Sequence, residues 1–178
     1  CAIIGAGPIG LLAGMIAQAY GAHAILLDLV QERLDFAKEL GIEYVINSGE
    51  EDAAARVSEI TGGMMAQQVM ECSGSNAAIR SSLDLVSNAG RITLTGWPPR
   101  ETSIPTDIIT RKEIDIRGAR TSAGEFEEAI ELIYTKKVDV AKILTKTISL
   151  DEAPETIRDI EKNPGNYMKV VVKVDKTV

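Results

Sequence analysis

"IIGAGPIGLLAG", residues 3–14, joins a short apolar run, a glycine-rich turn and the start of an apolar helix. Gly5-Ala6-Gly7-Pro8-Ile9-Gly10 has the spacing G-x-G-x-x-G, after a strand pattern at Ala2–Ile4 and before a helix pattern from about Ile9 to Tyr20. In that context each glycine has its own task. Gly5 permits the tight turn, Gly7 lets a pyrophosphate approach the main chain, and Gly10 lets helix and strand pack closely. An anion there meets unpaired N–H groups and the positive end of the helix dipole. Pro8 suits the first turn, where its missing N–H would be unpaired anyway. Asp28 stands 18 residues after Gly10, at the end of the next apolar run, Ala24–Leu27. A carboxylate in that position accepts from ribose hydroxyls and repels a 2′-phosphate, which favours NAD over NADP. The competing reading is an Asp that caps the following helix. Arg33, one turn into that helix, reaches the ribose or adenine edge, or else is a solvated helix residue.

Outward from this motif, strand and helix patterns alternate with short connections. Helices are expected over Gln31–Leu40, closed by Gly41, then from a capping box at Ser48–Glu51 to about Ile60. Another runs from Ser75 or Asn76 to about Val86. Strands are expected at Tyr44–Ile46, Gln68–Glu71, Arg91–Thr95 and Ile114–Arg117. Ser122–Glu125 reads as a capping box for a helix with Phe126, Ala129, Ile130 and Ile133 on one face. Such a succession predicts an α/β fold, a doubly wound parallel sheet of the Rossmann type. The tail departs from the rhythm: Ser149–Glu152 caps a helix to about Ile160, and Met168–Val174 is a β-branched strand with no evident neighbour.

Of 178 residues 26 are acidic and 19 basic, a net charge of −7 that disfavours a nucleic-acid partner. Residues 2–17 carry no charge, but their glycines and proline and the lack of a preceding basic stretch argue against a membrane or signal segment. Two cysteines are too few for a disulfide framework. Cys1 begins a strand and Cys72 ends its neighbour, so reduced thiols and a cytoplasmic location are expected. A first residue other than Met points to a piece of a longer chain.

Catalytic signatures of other classes are missing. Lys does not follow four residues after Tyr20, Tyr44, Tyr134 or Tyr167. The single His, His23, falls at the edge of the sheet away from the ligand crevice. Cys72 is at the correct edge with no partner base, and no zinc constellation assembles. These residues can hold a dinucleotide and cannot by themselves carry out chemistry on a substrate.

"GAGPIGLLAGMIAQAYGA", "DLVQERLDFAKELG", "ECSGSNAAIRSSLDLVSNAGRITLTGWP", "EIDIRGARTSAGEFEEAIELI" and "NYMKVVVKV" together resemble the medium-chain zinc-dependent alcohol dehydrogenases, in the sorbitol and threonine dehydrogenase branch. The resemblance implies an NAD-linked oxidation of a secondary alcohol: a polyol, a sugar acid or an amino alcohol. It also implies a separate GroES-like domain, outside this chain, that holds a catalytic zinc through Cys, His and an acidic residue. Residues 1–142 would be the coenzyme domain, and the helix–strand tail 143–178 would pack on that catalytic domain, leaving an apolar face around the tail. By the same resemblance Ile9 lies beside the pyrophosphate, and Asp28 and Arg33 lie at the ribose. Ser73 lines the groove, and Thr95, Gly96 and Trp97 lie beside the nicotinamide. The backbone of Ala119 and Thr121 holds the carboxamide. Sorbitol dehydrogenases resemble one another in an Arg where this chain has Thr121; here the Arg is one residue earlier, Arg120, so sorbitol itself is not implied. The isolated chain is expected to bind NADH without turnover, and the whole enzyme to be a homodimer or homotetramer. A freestanding NAD(H)-sensing module explains the missing catalytic residues equally well, but not the tail strand or the nicotinamide-side loops. A methyltransferase gives no reason for the loops at Thr95 and Ala119.

Overall fold

The computed structural model describes residues 1–174; residues 175–178 lie outside them. It contains two compact units, Cys1–Val138 and a second from Asp139 onward. In the first, six strands alternate with helices. They are β1 (Ala2–Ile4), β2 (Ile25–Asp28), β3 (Tyr44–Asn47), β4 (Ala66–Glu71), β5 (Val86–Leu94) and β6 (Asp115–Gly118). All pair in parallel, in the order β3-β2-β1-β4-β5-β6. The doubly wound sheet expected from the alternating pattern is the one observed.

β1 is buried on both faces, as a central parallel strand must be. Ala2 and Ile4 pack with Ile25, Leu27, Val69 and Ile92 on one face. Gly14 of helix α1 (Pro8–Ala19) leaves room for Ile3 and Ile42 on the other; a β-carbon there would lie 2.9 Å from Ile42 Cδ1. Helices α2 (Gln31–Glu39), α3 (Ala53–Ile60) and α4 (Asn76–Leu85) follow β2, β3 and β4.

Several local expectations are corrected. Helix α3 is capped by Asp52, whose carboxylate accepts from Ala54 N and Ala55 N at 3.0 Å, and not by Ser48. Helix α4 has the expected Ser75 as its N-cap, although the Ser75 side chain makes no capping bond. Helix α5 (Thr106–Lys112) had no counterpart in the sequence pattern, because none of its residues is buried. Helix α6 (Phe126–Tyr134) starts at Glu125, which reaches back to accept from Ala123 N and Ser122 Oγ. Its apolar face is exposed at Phe126, Ile130 and Ile133, while Leu132 is buried.

In the second unit β7 (Leu144–Ser149) and β8 (Lys169–Lys173) form a separate parallel pair, so the β-branched tail strand finds its neighbour within the tail. The Ser149–Glu152 capping box forms and leads through one 3-10 turn into α7 (Ala153–Lys162). Among the described residues no helix is long and apolar enough to cross a membrane.

Candidate functional site

The sheet order reverses between β1 and β4, and in open parallel sheets the crevice beyond the strand ends at such a point receives ligands. Three glycines shape it differently. Gly5, at φ +104°, donates to Leu27 O at 2.7 Å, and a β-carbon on it would lie 3.1 Å from Ser73 N. A β-carbon on Gly10 would lie 1.8 Å from the Gly5 carbonyl oxygen. Gly7 is unlike both: it is the N-cap of α1 with ordinary φ of −77°, no side chain caps the helix there, and a β-carbon would meet nothing within 4 Å. The chain's own packing requires Gly5 and Gly10. At Gly7 it leaves open space in front of first-turn N–H groups, the geometry that receives a phosphate.

Asp28 ends β2 and is held from three directions. Its Oδ2 accepts from Ala6 N at 2.6 Å, and its Oδ1 accepts from Leu29 N at 2.8 Å and Val30 N at 2.9 Å. The carboxylate thus binds the glycine turn to the entry of α2, though the helix N-cap itself is Val30. Arg33 Nη1 is 3.9 Å from Asp28 Oδ2, and Arg33 Nε is buried with no partner, a donor left for a ligand. Gly5, Asp28, Arg33 and Ser73 line one cavity of about 650 Å³. Asp52 and Asp84 also line it, and the sequence motifs pointed to neither.

The far side of the crevice is made by two further loops. Thr95 N and Gly96 N donate to Glu71 O at 2.9 and 3.0 Å. Trp97 is 74% exposed, with the Arg120 guanidinium 4.6 Å from its ring centroid. Ala119 N donates to Leu94 O at 2.9 Å, carrying the β5–β6 ladder one step beyond β6, and Thr121 takes a left-handed φ of +55°. Ile9 stands apart from the Asp28 cavity. Its side chain is 58% exposed and lines an apolar cavity of about 660 Å³ along α1 with Leu12, Ile16 and Met70.

Burial pushes the Cys72 thiol above its ordinary range, opposed by a hydrogen bond with Thr95. Cys1 and Cys72 are both free. His23 is exposed before β2, 3.8 Å from Glu43. Among the described residues no three His, Cys, Asp or Glu side chains come together to hold a metal. A zinc ion therefore does not fit these residues, whereas the open turn at Gly7 and the free donor of Arg33 fit a dinucleotide.

A six-stranded parallel sheet with an anion-receptive glycine turn at its crossover defines a Rossmann-type nucleotide-binding domain. Residues 8–135 match the zinc-binding dehydrogenase family, and the chain belongs to it. It is 51% identical over 168 residues to a zinc-type alcohol dehydrogenase-like protein of Haemophilus influenzae, covering 94% of this chain and 49% of that protein. It is 30% identical to the D-xylulose reductase of Saccharomyces cerevisiae over 97% of this chain and 50% of that one. Two solved structures superpose with TM-scores of 0.87 at 26% identity. They are an Escherichia coli alcohol dehydrogenase complexed with NADH (97% of this chain, 51% of that one) and a Sinorhizobium meliloti zinc-binding dehydrogenase bound to NADP (97% and 52%). The chain thus spans about half the length of the relatives it matches.

Proposed function

We propose that this chain is the coenzyme-binding half of an NAD-linked, zinc-dependent dehydrogenase that oxidises a secondary alcohol, of the polyol, sugar acid or amino alcohol class. The observation that carries the reading is the open space at Gly7, the one fingerprint glycine whose missing side chain serves no neighbour in the protein. In this reading Gly5, Gly7, Pro8, Ile9 and Gly10 present the main chain to the pyrophosphate. Asp28 accepts from the adenosine ribose, and Arg33 supplies its free Nε–H beside it. Ser73 lines the centre of the groove. Thr95, Gly96 and Trp97, with the backbone of Ala119, Arg120 and Thr121, orient the nicotinamide and exclude water from one face. When bound, the coenzyme supplies the hydride acceptor. The metal ligands lie on residues other than those described, as does most of the substrate pocket, and the tail unit packs with that part of the enzyme.

Asp28 supports NAD over NADP because its three backbone donors keep it from swinging away. A carboxylate ~5 Å from a phosphate at an effective dielectric near ~20 adds roughly 3 kcal/mol of repulsion per charge. NADPH should therefore bind at least ~10-fold more weakly than NADH. Titration of each against the purified chain, followed by Trp97 fluorescence, tests this, with Asp28→Asn expected to narrow the gap. Equal affinity for the two would overturn the NAD assignment. Alcohol oxidation by the chain alone would overturn the division of labour.

A further inference from the structure

Glu71 ends β4 with 0% exposure and is the one buried ionisable side chain among the described residues. No ion pair among those residues reaches it. A carboxylate buried without a cation is costly unless hydrogen-bonded, and a strand end that merely had to pack could be apolar. All the donors to this carboxylate come from one loop: Ser73 N at 2.8 Å, Ser73 Oγ, and Gly74 N at 3.0 and 3.2 Å from its two oxygens. Its main-chain carbonyl takes Thr95 N, Gly96 N and, at 2.8 Å, Thr95 Oγ1 from the other. The two loops touch through bare backbone. A β-carbon on Gly96 would lie 2.1 Å from Gly74 N and 2.6 Å from Glu71 Oε2, and one on Gly74 would lie 2.8 Å from Trp97 O. On its other side Ser73 abuts Gly5. Contact is therefore continuous from the fingerprint turn, through Ser73 and Gly74, to Gly96 and Trp97.

We propose that Glu71 is a positioning residue that sets the register between the adenosine half and the nicotinamide half of the crevice. The proposal rests on the coenzyme reading above. Glu71 touches no ligand; it acts through Ser73 and Gly74 on one side and Thr95 and Gly96 on the other. Its effect should therefore fall on ligands that span both halves and spare those that occupy one.

Glu71→Gln keeps the size of the side chain but leaves one acceptor oxygen for three donors and turns an amide N–H toward them. In the purified chain AMP, which reaches only the Gly5–Asp28 side, should bind within ~2-fold of the unaltered chain. NADH should bind ~10-fold or more weakly, and its quenching of Trp97, the single tryptophan, should diminish at saturation. Parallel loss of AMP and NADH would make Glu71 only a structural prop, and no change in either would remove its role; both overturn the proposal. If Glu71→Gln does not fold, Glu71→Asp keeps the carboxylate but draws it back from Ser73 and Gly74 and should show the same split, smaller. A parallel loss or none in that variant would overturn it as well. Failure of the unaltered chain to bind AMP or NADH would instead sink the coenzyme reading, and the positioning role with it.

Discussion

Gly7→Ala separates the nucleotide site from the fold. The backbone at Gly7 has φ −77° and ψ −177°, which alanine adopts freely, and the new methyl group meets nothing within 4 Å. Alanine is a poorer N-cap than glycine by up to ~1 kcal/mol. The loss of unfolded-state freedom offsets about 0.4–1 kcal/mol of that. The melting temperature should therefore stay within about 3 °C of the unaltered chain, at about 2–4 °C per kcal/mol for a protein of this size. Binding should respond quite differently. The methyl fills the space the pyrophosphate would occupy, and losing one charge-assisted hydrogen bond removes about 1.5–3 kcal/mol. NADH affinity should fall by ~10- to 100-fold. Gly10→Ala is the control, since its methyl would lie 1.8 Å from the Gly5 carbonyl oxygen. Forcing that contact apart should cost about 1–3 kcal/mol of stability. Thermal melts and NADH titrations on both variants make the assay. Tight NADH binding by Gly7→Ala would show that no phosphate sits in the open turn. A melting temperature as low as that of Gly10→Ala would show that the space is not open.

Two titrations add further tests. Because burial holds the Cys72 thiol above its ordinary value of 9.0, alkylation there should be slower than for a free thiol at pH 8 and should quicken only at higher pH. The stability this site contributes is complete below pH 9 and falls as pH rises further, since the unfolded thiol ionises first; peptide mapping after timed alkylation would detect fast reaction at neutral pH, which contradicts the burial. In the second unit Glu152 accepts from Ser149 N and Oγ, which holds its carboxyl below the ordinary 4.5. That contribution is present above pH 4.5 and lost as pH falls through the lowered value. Glu152→Gln should flatten the acid limb of the helical circular dichroism signal, and an unaltered acid limb would assign it to other carboxylates.

The first half of the sheet was legible because its signals are local. The turn, the helix start and Asp28 lie within one βαβ unit, where the motif fixes both spacing and order. Strand β7 was not legible: in Leu144-Thr145-Lys146-Thr147-Ile148-Ser149 only Ile148 is buried, so no period marks it. The cap of α3 was misplaced for a related reason. Ser48, Glu51 and Asp52 all suit a helix start, and the path of the chain out of β3 decides among them. The apolar stripe of α6 could be read, but not which surface covers it, because the helix buries Leu132 and exposes Phe126 and Ile130. Glu71 escaped notice because its meaning is tertiary. A lone acid at a strand end looks like any other until two loops separated by 20 residues or so in the chain close around it.

The two carboxylates at the crossover follow one logic. Leu27 and Glu71 are both register partners of Ile4, so Asp28 and Glu71 lie on either side of the turn that begins at Gly5. Both acids turn toward main-chain N–H groups: Asp28 takes Ala6, Leu29 and Val30, and Glu71 takes Ser73 and Gly74. An anionic ligand between two acids, on a chain of net charge −7, must find its attraction in donors that neither acid has taken. In the proposed coenzyme reading those donors are the first-turn N–H groups of α1, with the Nε–H of Arg33 beside them. Serine at position 7 would cap that helix better than glycine, yet its oxygen would occupy the donors the phosphate needs. In that reading the missing cap at Gly7 is the counterpart of the two inward carboxylates, and helix stability is given up where binding would require it.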